Sequence, residues 1–323
     1  MRRRWSVAAA IALLALLPGC VNTTDPSASL YHRGELTIGT GNTTGVFYEI
    51  GAGYANVINR HLPGYEAMSA ATAGSVENLQ RLASGDVDLA LTFSTNAVEA
   101  LRGQGAFAGH PIPIRAIGRL YPVYTHLIVR TDAHINSVAD LRGHRITTGP
   151  HNSGSELTAL RILAAVGLTP GENVTNVAMS LPQSTAALAA GRIDAMFYTA
   201  GLPVPGITDL FTQAGAGVRL LPLDSVLPKL SDRVGAGVYF RATIPRGQYA
   251  LPDDVPTIAE SSLLVVTASM PVDLVYQLTR LLFTYQSELA AVHPAANSIQ
   301  RDTAPTTAPV PLHPGAARYY DGG

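Results

Sequence analysis

The chain of 323 residues carries a formal net charge of −1 at neutral pH, with 47% hydrophobic and only 14% charged residues. Such a length exceeds what one hydrophobic core usually serves, so two lobes of roughly 100–150 residues each are expected. Lys229 is the sole lysine and no basic run follows Arg2, Arg3 and Arg4, which argues against nucleic acid as a partner.

Those three arginines open the first element. An apolar stretch runs from Val7 to Leu17, and Leu17-Pro-Gly-Cys20 follows at once. A basic head, an apolar middle and small residues ahead of a cysteine are the layout of a lipoprotein secretory signal. Residues 1–20 are read as that signal, with lipid carried on Cys20, the only cysteine; an ordinary signal with a chance cysteine is the alternative. A lipidated Cys20 leaves nothing for an internal disulfide. Residues 21–34, rich in Asn, Thr, Ser, Pro and Asp, read as a flexible tether. The expected location is outside the cytoplasm, lipid-anchored to the outer face of the cytoplasmic membrane or periplasmic.

Beyond the tether the pattern alternates. A strand at 36–39 precedes a helix at 46–62, whose Val46, Phe47, Ile50, Tyr54, Val57 and Ile58 recur at helical spacing. A strand at 65–71, a helix N-capped by Ser75 and a strand at 87–93 follow. Residues 114–129 hold two apolar segments around Leu120-Tyr-Pro-Val-Tyr124. Then come a capping-box pattern at Ser137–Asp140, a strand at 145–148, and a second capping box, Ser153-Gly-Ser-Glu156, opening a helix that runs to Gly167. Strands at 174–180, 193–198 and 218–222 alternate with helices at 183–190 and 207–214. Further strands at 255–259 and 262–268 precede one long helix at 271–289 and an irregular tail after His293. Alternation of this kind predicts mostly parallel sheets. The lobes divide as 35–122 (first lobe), 123–236 (second lobe) and 237–323 (return to the first). Two crossings make a hinge, with Tyr121 and Pro122 as its candidate residues.

The pattern is doubled. Strand, Gly- and Thr-rich turn and helix at Gly39-Thr-Gly-Asn-Thr-Thr-Gly45 recur at Gly149-Pro-His-Asn-Ser-Gly154, and Val87-Asp88-Leu resembles Ile193-Asp194-Ala. Ligands of open α/β sheets sit beyond the carboxyl ends of strands, and helix N-termini bind anions. The candidate ligand residues are therefore Thr44, Gly45 and Tyr48 in the first turn and helix, Ser75, Ser94 and Asn96, then Ser153, Gly154 and Ser155, and finally Thr199 and Gly201. Each polar loop taken alone is explained by capping its own helix; their repetition in two lobes favours a binding cleft. Tyr48 is equally readable as a core residue, and the capping box accounts for Glu156. Asp88 and Asp194 are read as braces of equivalent turns rather than as a catalytic pair.

No chemistry-bearing motif stands out. Gly39-x-Gly41 follows a strand, but the third glycine of a dinucleotide fingerprint falls one residue late, at Gly45. Ser153 lacks the nucleophile-elbow context, and the histidines show no metal-ligand spacing. No metal, no cofactor and no enzymatic activity are expected.

The sequence resembles the TAXI group of solute-binding proteins, the extracytoplasmic receptors of tripartite ATP-independent periplasmic (TRAP) transporters. The matching stretches are Gly45-Val-Phe-Tyr48, Gly74-Ser-Val-Glu-Asn-Leu79, Leu120-Tyr-Pro122, Ser153-Gly-Ser-Glu156, Phe197-Tyr-Thr-Ala-Gly-Leu-Pro203, Asp254-Val-Pro-Thr257 and Pro311-Leu-His-Pro-Gly-Ala316. They span nearly the whole chain after the tether, in order. The resemblance implies an α/β, two-lobed periplasmic-binding-protein fold of type II. It further implies capture of a glutamate-, glutamine- or 2-oxoglutarate-like anion, and delivery to a TRAP permease. By the same similarity the ligand contacts loops 44–48, 94–96, 153–155 and 199–201 and Ser75. Phe47 stands where Tyr is common, and no arginine clamp for the carboxylate can be placed. Alternatives are a receptor for an ABC importer or a sensor kinase, or an enzyme on the same fold.

Overall fold

The computed structural model describes residues 34–234 and 238–322. The expected signal, the expected lipidation site Cys20 and nearly all of the tether lie outside the described residues. In chain order the elements are β1 (Glu35–Gly39), α1 (Val46–His61), β2 (Glu66–Ala70), α2 (Ser75–Ser84), β3 (Leu89–Phe93), α3 (Ser94–Arg102) and β4 (Ile114–Arg130). Then follow β5 (Arg145–Thr147), α4 (Gly154–Ala165), β6 (Thr175–Asn176), α5 (Leu181–Ala189), β7 (Ala195–Ala200), α6 (Pro205–Ala214), β8 (Val218–Leu220) and α7 (Leu227–Val234). The chain ends with β9 (Phe240–Ile244), β10 (Val255–Thr267), α8 (Val272–Thr284), α9 (Gln286–Val292) and α10 (Pro314–Tyr320).

One hydrogen-bonded path, β2-β1-β3-β10-β4-β7-β5-β6, runs through both lobes, with β8 added to β4 and β9 to β10. Strands β1, β2 and β3 are parallel, as are β5, β6 and β7. The two long strands β4 and β10 are antiparallel to their neighbours and belong to both lobes. The first half of β4 pairs with β10 (Ile114↔Thr267 to Arg119↔Leu263), and the second half turns to β7 (Tyr124↔Ala200 to Val129↔Ala195). This is a type II periplasmic-binding-protein architecture, with two lobes joined by two crossing strands. The expectation of two apolar segments around residue 120 is corrected to a single strand. Pro122 is tolerated inside it at the lobe junction, opposite Ser261, just before a register shift in β10.

The hinge strands are pinned together at that point. The Ser262 hydroxyl donates to the Tyr121 carbonyl at 2.7 Å, and the Tyr121 N–H donates to the Ser262 hydroxyl oxygen at 3.3 Å. Strand β9 pairs with residues 255–259 of β10, while Tyr239 and Ile258 pack into the second lobe's core with Leu127, Ile146, Ile162 and Phe197. The division we propose therefore places the return crossing within β10, near Glu260–Ser262, rather than at residue 237.

Other differences have local causes. The expected helix at 271–289 is broken at Tyr285 (φ −113°, ψ 25°) into α8 and α9, and Pro271 precedes the helix as its N-cap. The expected strand at 174–180 shrinks to the two residues of β6, because only Arg145 and Ile146 are there to pair with. The tail is not wholly irregular. Its Pro311 carbonyl and His313 N–H bond Ala116 on β4, each at 2.9 Å, and the Tyr320 hydroxyl donates to the Ile117 carbonyl. The tail thus pairs along the edge of β4 in the first lobe, with a parallel bridge between Ala116 and Leu312.

The doubling seen in the sequence is physical. In the first lobe the Asp88 carboxylate accepts from Thr37 N–H at 2.7 Å, while Asp88 N–H donates to the Thr37 carbonyl at 2.8 Å. In the second, Asp194 does the same with Arg145, at 3.1 and 2.7 Å. Each aspartate ties the entry of its strand to the neighbouring parallel strand. Burial pushes the Asp88 carboxyl up, against the Thr37 bond that draws it down. Asp194 has a second partner, His144 Nδ1 at 3.1 Å. Both aspartates are braces.

Candidate functional site

Between the lobes lies a narrow pocket with a cavity volume of about 30 Å³. The first lobe supplies Gly41, Asn42, Gly45, Val46 and Phe47 around the start of α1, Ala73, Gly74 and Ser75 around the start of α2, and Phe93 at the end of β3. The second lobe supplies Ser153, Gly154 and Ser155 at the start of α4, and Tyr198, Thr199 and Ala200 at the end of β7. The pocket sits beyond the carboxyl ends of parallel strands, where open α/β sheets place ligands.

Three helix N-termini converge on it from both lobes. The first N–H groups of a helix have no intrahelical acceptor, and here they belong to Val46, Phe47, Ser75, Gly154 and Ser155. With the positive ends of the helix dipoles they form a field suited to an anion. Among the described residues no Arg, Lys, His, Asp or Glu lines the pocket.

The hydroxyls beside these N–H groups are occupied. The Ser153 hydroxyl oxygen accepts from Glu156 N–H at 3.0 Å and so caps α4. Its capping box is shifted by one residue: the Glu156 carboxylate takes Asn152 N–H at 2.9 Å and His151 Nδ1 at 2.7 Å. Ser155 accepts from Thr199 N–H at 3.0 Å and so braces β7. Ser75 is not the N-cap of α2, contrary to the sequence expectation. Gly74 holds that place with φ +131°, a conformation that only glycine adopts without strain, and the Ser75 hydroxyl oxygen accepts from Phe93 N–H at 3.0 Å.

The lobes touch around the pocket. Glu77 N–H donates to the Asn152 carbonyl at 3.0 Å, Leu181 N–H to Asn42 Oδ1 at 3.2 Å, and Gly206 N–H to the Thr44 carbonyl at 3.3 Å. Gly154 makes this approach possible. A Cβ there would lie 2.4 Å from the Phe93 ring and 2.7 Å from the Ser75 hydroxyl oxygen. Gly45 is similarly close to the Tyr198 hydroxyl, which bonds the Asn42 side chain; burial pushes the Tyr198 phenol up, against that bond.

Of the residues singled out in the sequence, Gly45, Ser75, Ser153, Gly154, Ser155 and Thr199 line the pocket. Thr44, Tyr48, Ser94, Asn96 and Gly201 do not. Thr44 holds the rim through its carbonyl, and Tyr48 is half-buried in α1. Gly201 packs on Tyr121, where an added Cβ would meet the ring at 3.0 Å. Asn96 is fully buried, and neither polar atom of its side chain has a partner among the described residues. Sequence reasoning missed the aromatic walls. Phe47 and Phe93 meet edge to face at 5.5 Å, and Tyr121 stands 6.4 Å behind Phe47.

A second interlobe contact was also missed. Ser94 belongs to it, not to the pocket. Glu260, fully buried on hinge strand β10, accepts from Thr95 N–H at 3.0 Å and from the hydroxyls of Ser94 and Thr158, each at 3.3 Å. Arg161 of α4 pairs with Glu99 of α3 and donates to the Tyr239 hydroxyl at 3.0 Å and Thr95 Oγ1 at 3.2 Å. Burial raises the Glu260 carboxyl, against the lowering pull of Thr95 and Arg161. The one charged residue of β10 was the available signal.

Solved structures share this fold at low identity. PhnD1 from Prochlorococcus marinus, in complex with methylphosphonate, is 11% identical over 83% of this chain and 92% of its own, with a TM-score of 0.55. A binding protein component of an ABC phosphonate transporter from Pseudomonas aeruginosa is 13% identical over 83% of this chain and 80% of its own, at 0.52. An ancestral arginine-binding protein bound to arginine is 13% identical over 81% of this chain and 97% of its own, at 0.51. The sequence profile of the NMT1-like family matches residues 38–322, which is nearly everything after the expected tether. The chain therefore belongs to the NMT1-like family.

Proposed function

We propose that this protein is an extracytoplasmic solute-binding receptor that takes a small organic anion into the interlobe cleft and passes it to a membrane permease. The observation that carries this reading is the convergence of three helix N-termini, from both lobes, on one uncharged pocket. A ligand bound there bridges the lobes and holds them closed about β4 and β10, with Tyr121 and Pro122 at the pivot. The resemblance of the sequence points to a TAXI receptor feeding a TRAP permease, to a ligand of the glutamate, glutamine or 2-oxoglutarate type, and to a lipid anchor on Cys20. The receptor is not an enzyme in this reading: the hydroxyls of Ser75, Ser153 and Ser155 serve structural bonds. No helix of the described residues is long and apolar enough to cross a membrane.

A second reading keeps the receptor and changes its partner. The similarly folded Pseudomonas aeruginosa protein is a component of an ABC phosphonate transporter, which favours an ABC importer as the alternative. Thermal unfolding against a panel of amino acids, dicarboxylates, phosphonates and sulfonates tests the common core. One class raises the melting temperature, because binding stabilises only the folded state. No shift with any small anion removes the proposal. A gene for a multi-spanning TRAP permease beside this one decides the partner, and an ABC permease and ATPase there decides it the other way.

A further inference from the structure

Resting on the receptor reading, we infer that the cleft accepts a ligand with one anionic group and discriminates against a second, so that its natural solute is single-headed with an uncharged, partly apolar body. The first observation is the charge of the lining. Five helix-start N–H groups answer one anionic head, and no cation answers another. Arginines Arg102, Arg119 and Arg161 line a separate interlobe groove beside Phe240, and Arg161 is tied to Glu99 there. A carboxylate carried into a closed cleft without a cation or a full set of donors keeps its desolvation penalty.

The second observation is the pair of acids at the rim. Glu77 and Glu156 occupy the third positions of α2 and α4, and each turns its carboxylate back onto the loop, to Ala73 N–H at 2.7 Å and Asn152 N–H at 2.9 Å. Each also has a basic neighbour, Arg81 at 3.6 Å from the Glu77 carboxylate and His151 at 2.7 Å from the Glu156 carboxylate, so those side chains are engaged outside the pocket lining. An anion in contact with helix-start N–H groups is stabilised regardless, because the dipole field is strongest there and falls off within a turn. A second anion, held away from those groups by the ligand's own skeleton, finds no cation in the lining to meet it.

The third observation is what fills the remaining wall. Phe47, Phe93 and Tyr198 present aromatic surface to the space that the head does not occupy. Below them the Tyr121 hydroxyl, on a side chain only 1% exposed, has no partner among the described residues. Tyr121 packs against Phe47 outside the residues that line the pocket, and burial, with Tyr198 nearby, pushes its phenol up. A neutral, partly apolar ligand body suits the aromatic wall; a second carboxylate does not, because nothing in the lining compensates its charge.

Calorimetric titration of the full mature chain with two matched pairs tests this. Glutamate is compared with glutamine, and 2-oxoglutarate with 2-oxopentanoate, at pH 7.5 and low salt. Within each pair the head and its neighbours are the same, and only the far end changes from charged to neutral. The expected result is that the neutral-ended member binds tenfold or more tightly in each pair that binds. A smaller margin, or preference for the dianion, overturns the inference and leaves the receptor reading standing. Absence of binding by all four acids at millimolar concentration overturns the receptor reading for this ligand class, and the inference with it.

Discussion

The lobes meet in two places, and the two are built from opposite materials. Around the pocket the contact is neutral: backbone amides, small residues and aromatic rings face each other, with Gly154 closing on Phe93. Beside it, at α3, α4 and β10, the contact is ionic, with Glu260, Thr158, Tyr239, Arg161 and Glu99 joined in one chain of hydrogen bonds. The difference teaches where a closing receptor places its charges. Charges that hold the lobes together are matched inside the protein, whereas the pocket keeps its electrostatic field unmatched and offers it to the ligand.

Breaking the neutral contact has the largest effect. Gly154→Leu places a side chain where a Cβ alone meets the Phe93 ring at 2.4 Å, so the lobes cannot close. Affinity for any ligand found in the panel falls by about 100-fold or more, the scale of losing a few kcal/mol of contacts. The ligand-free melting temperature stays near that of the wild type, because the open form does not contain the clash. Wild-type affinity in the variant removes α4 from the site.

Breaking the ionic contact acts on stability first. Glu260→Ala leaves Thr95 N–H and the hydroxyls of Ser94 and Thr158 without their acceptor and removes the buried charge that favours the Arg161 guanidinium, at a cost of about 3 kcal/mol in denaturant unfolding. Glu260→Gln is milder and carries a pH signature. A carboxyl whose folded pKa is raised contributes stability that is full below its ordinary value near 4.5 and is lost as pH rises through the raised folded value. The melting temperature of Glu260→Gln therefore gains on the wild type as pH rises above about 4.5. A gap independent of pH contradicts the assignment.

His126 gives the opposite sign. Burial lowers its pKa from 6.5 to about 4, despite bonds to backbone that raise it, and it sits between the Tyr198 carbonyl at 3.2 Å and the Tyr249 hydroxyl at 2.9 Å. Its stabilising contribution is complete above pH 6.5 and is lost as pH falls toward 4. Wild-type protein loses melting temperature over that window, and His126→Gln flattens the loss. The smallest effect is expected at Glu99. Its pair with Arg161 is partly exposed, with side-chain exposures of 16% for Arg161 and 23% for Glu99. After discounting for solvent screening, Glu99→Gln shifts the opening equilibrium by about 1 kcal/mol, and ligand affinity by about fivefold.

The doubled architecture was legible because it is written in short-range chemistry. Glycine turns, capping residues and the aspartates Asp88 and Asp194 each act within a few residues or on the adjacent strand. Half of the pocket was legible for the same reason: helix starts at Gly45, Ser75 and Gly154 announce themselves locally. The rest depends on long-range placement. Phe93 and Tyr198 enter the pocket only because β3 and β7 end facing each other across the hinge. Ser94 is drawn instead to Glu260, 166 positions away in the chain. The roles of Ser75 and Ser155 were obscured too, since their bonds to Phe93 and Thr199 need the folded sheet.

The central claim is that an anion is held by helix N-termini in the neutral contact. A crystal structure of the protein with the tightest-binding acid of the titration series tests it most directly. The account places the ligand's anionic head within hydrogen-bonding distance of the N–H groups of Gly154 and Ser155 and of the start of α1 or α2, between Phe47 and Tyr198. A ligand found instead beside Arg102, Arg119 and Arg161, with the neutral pocket filled by solvent, contradicts it.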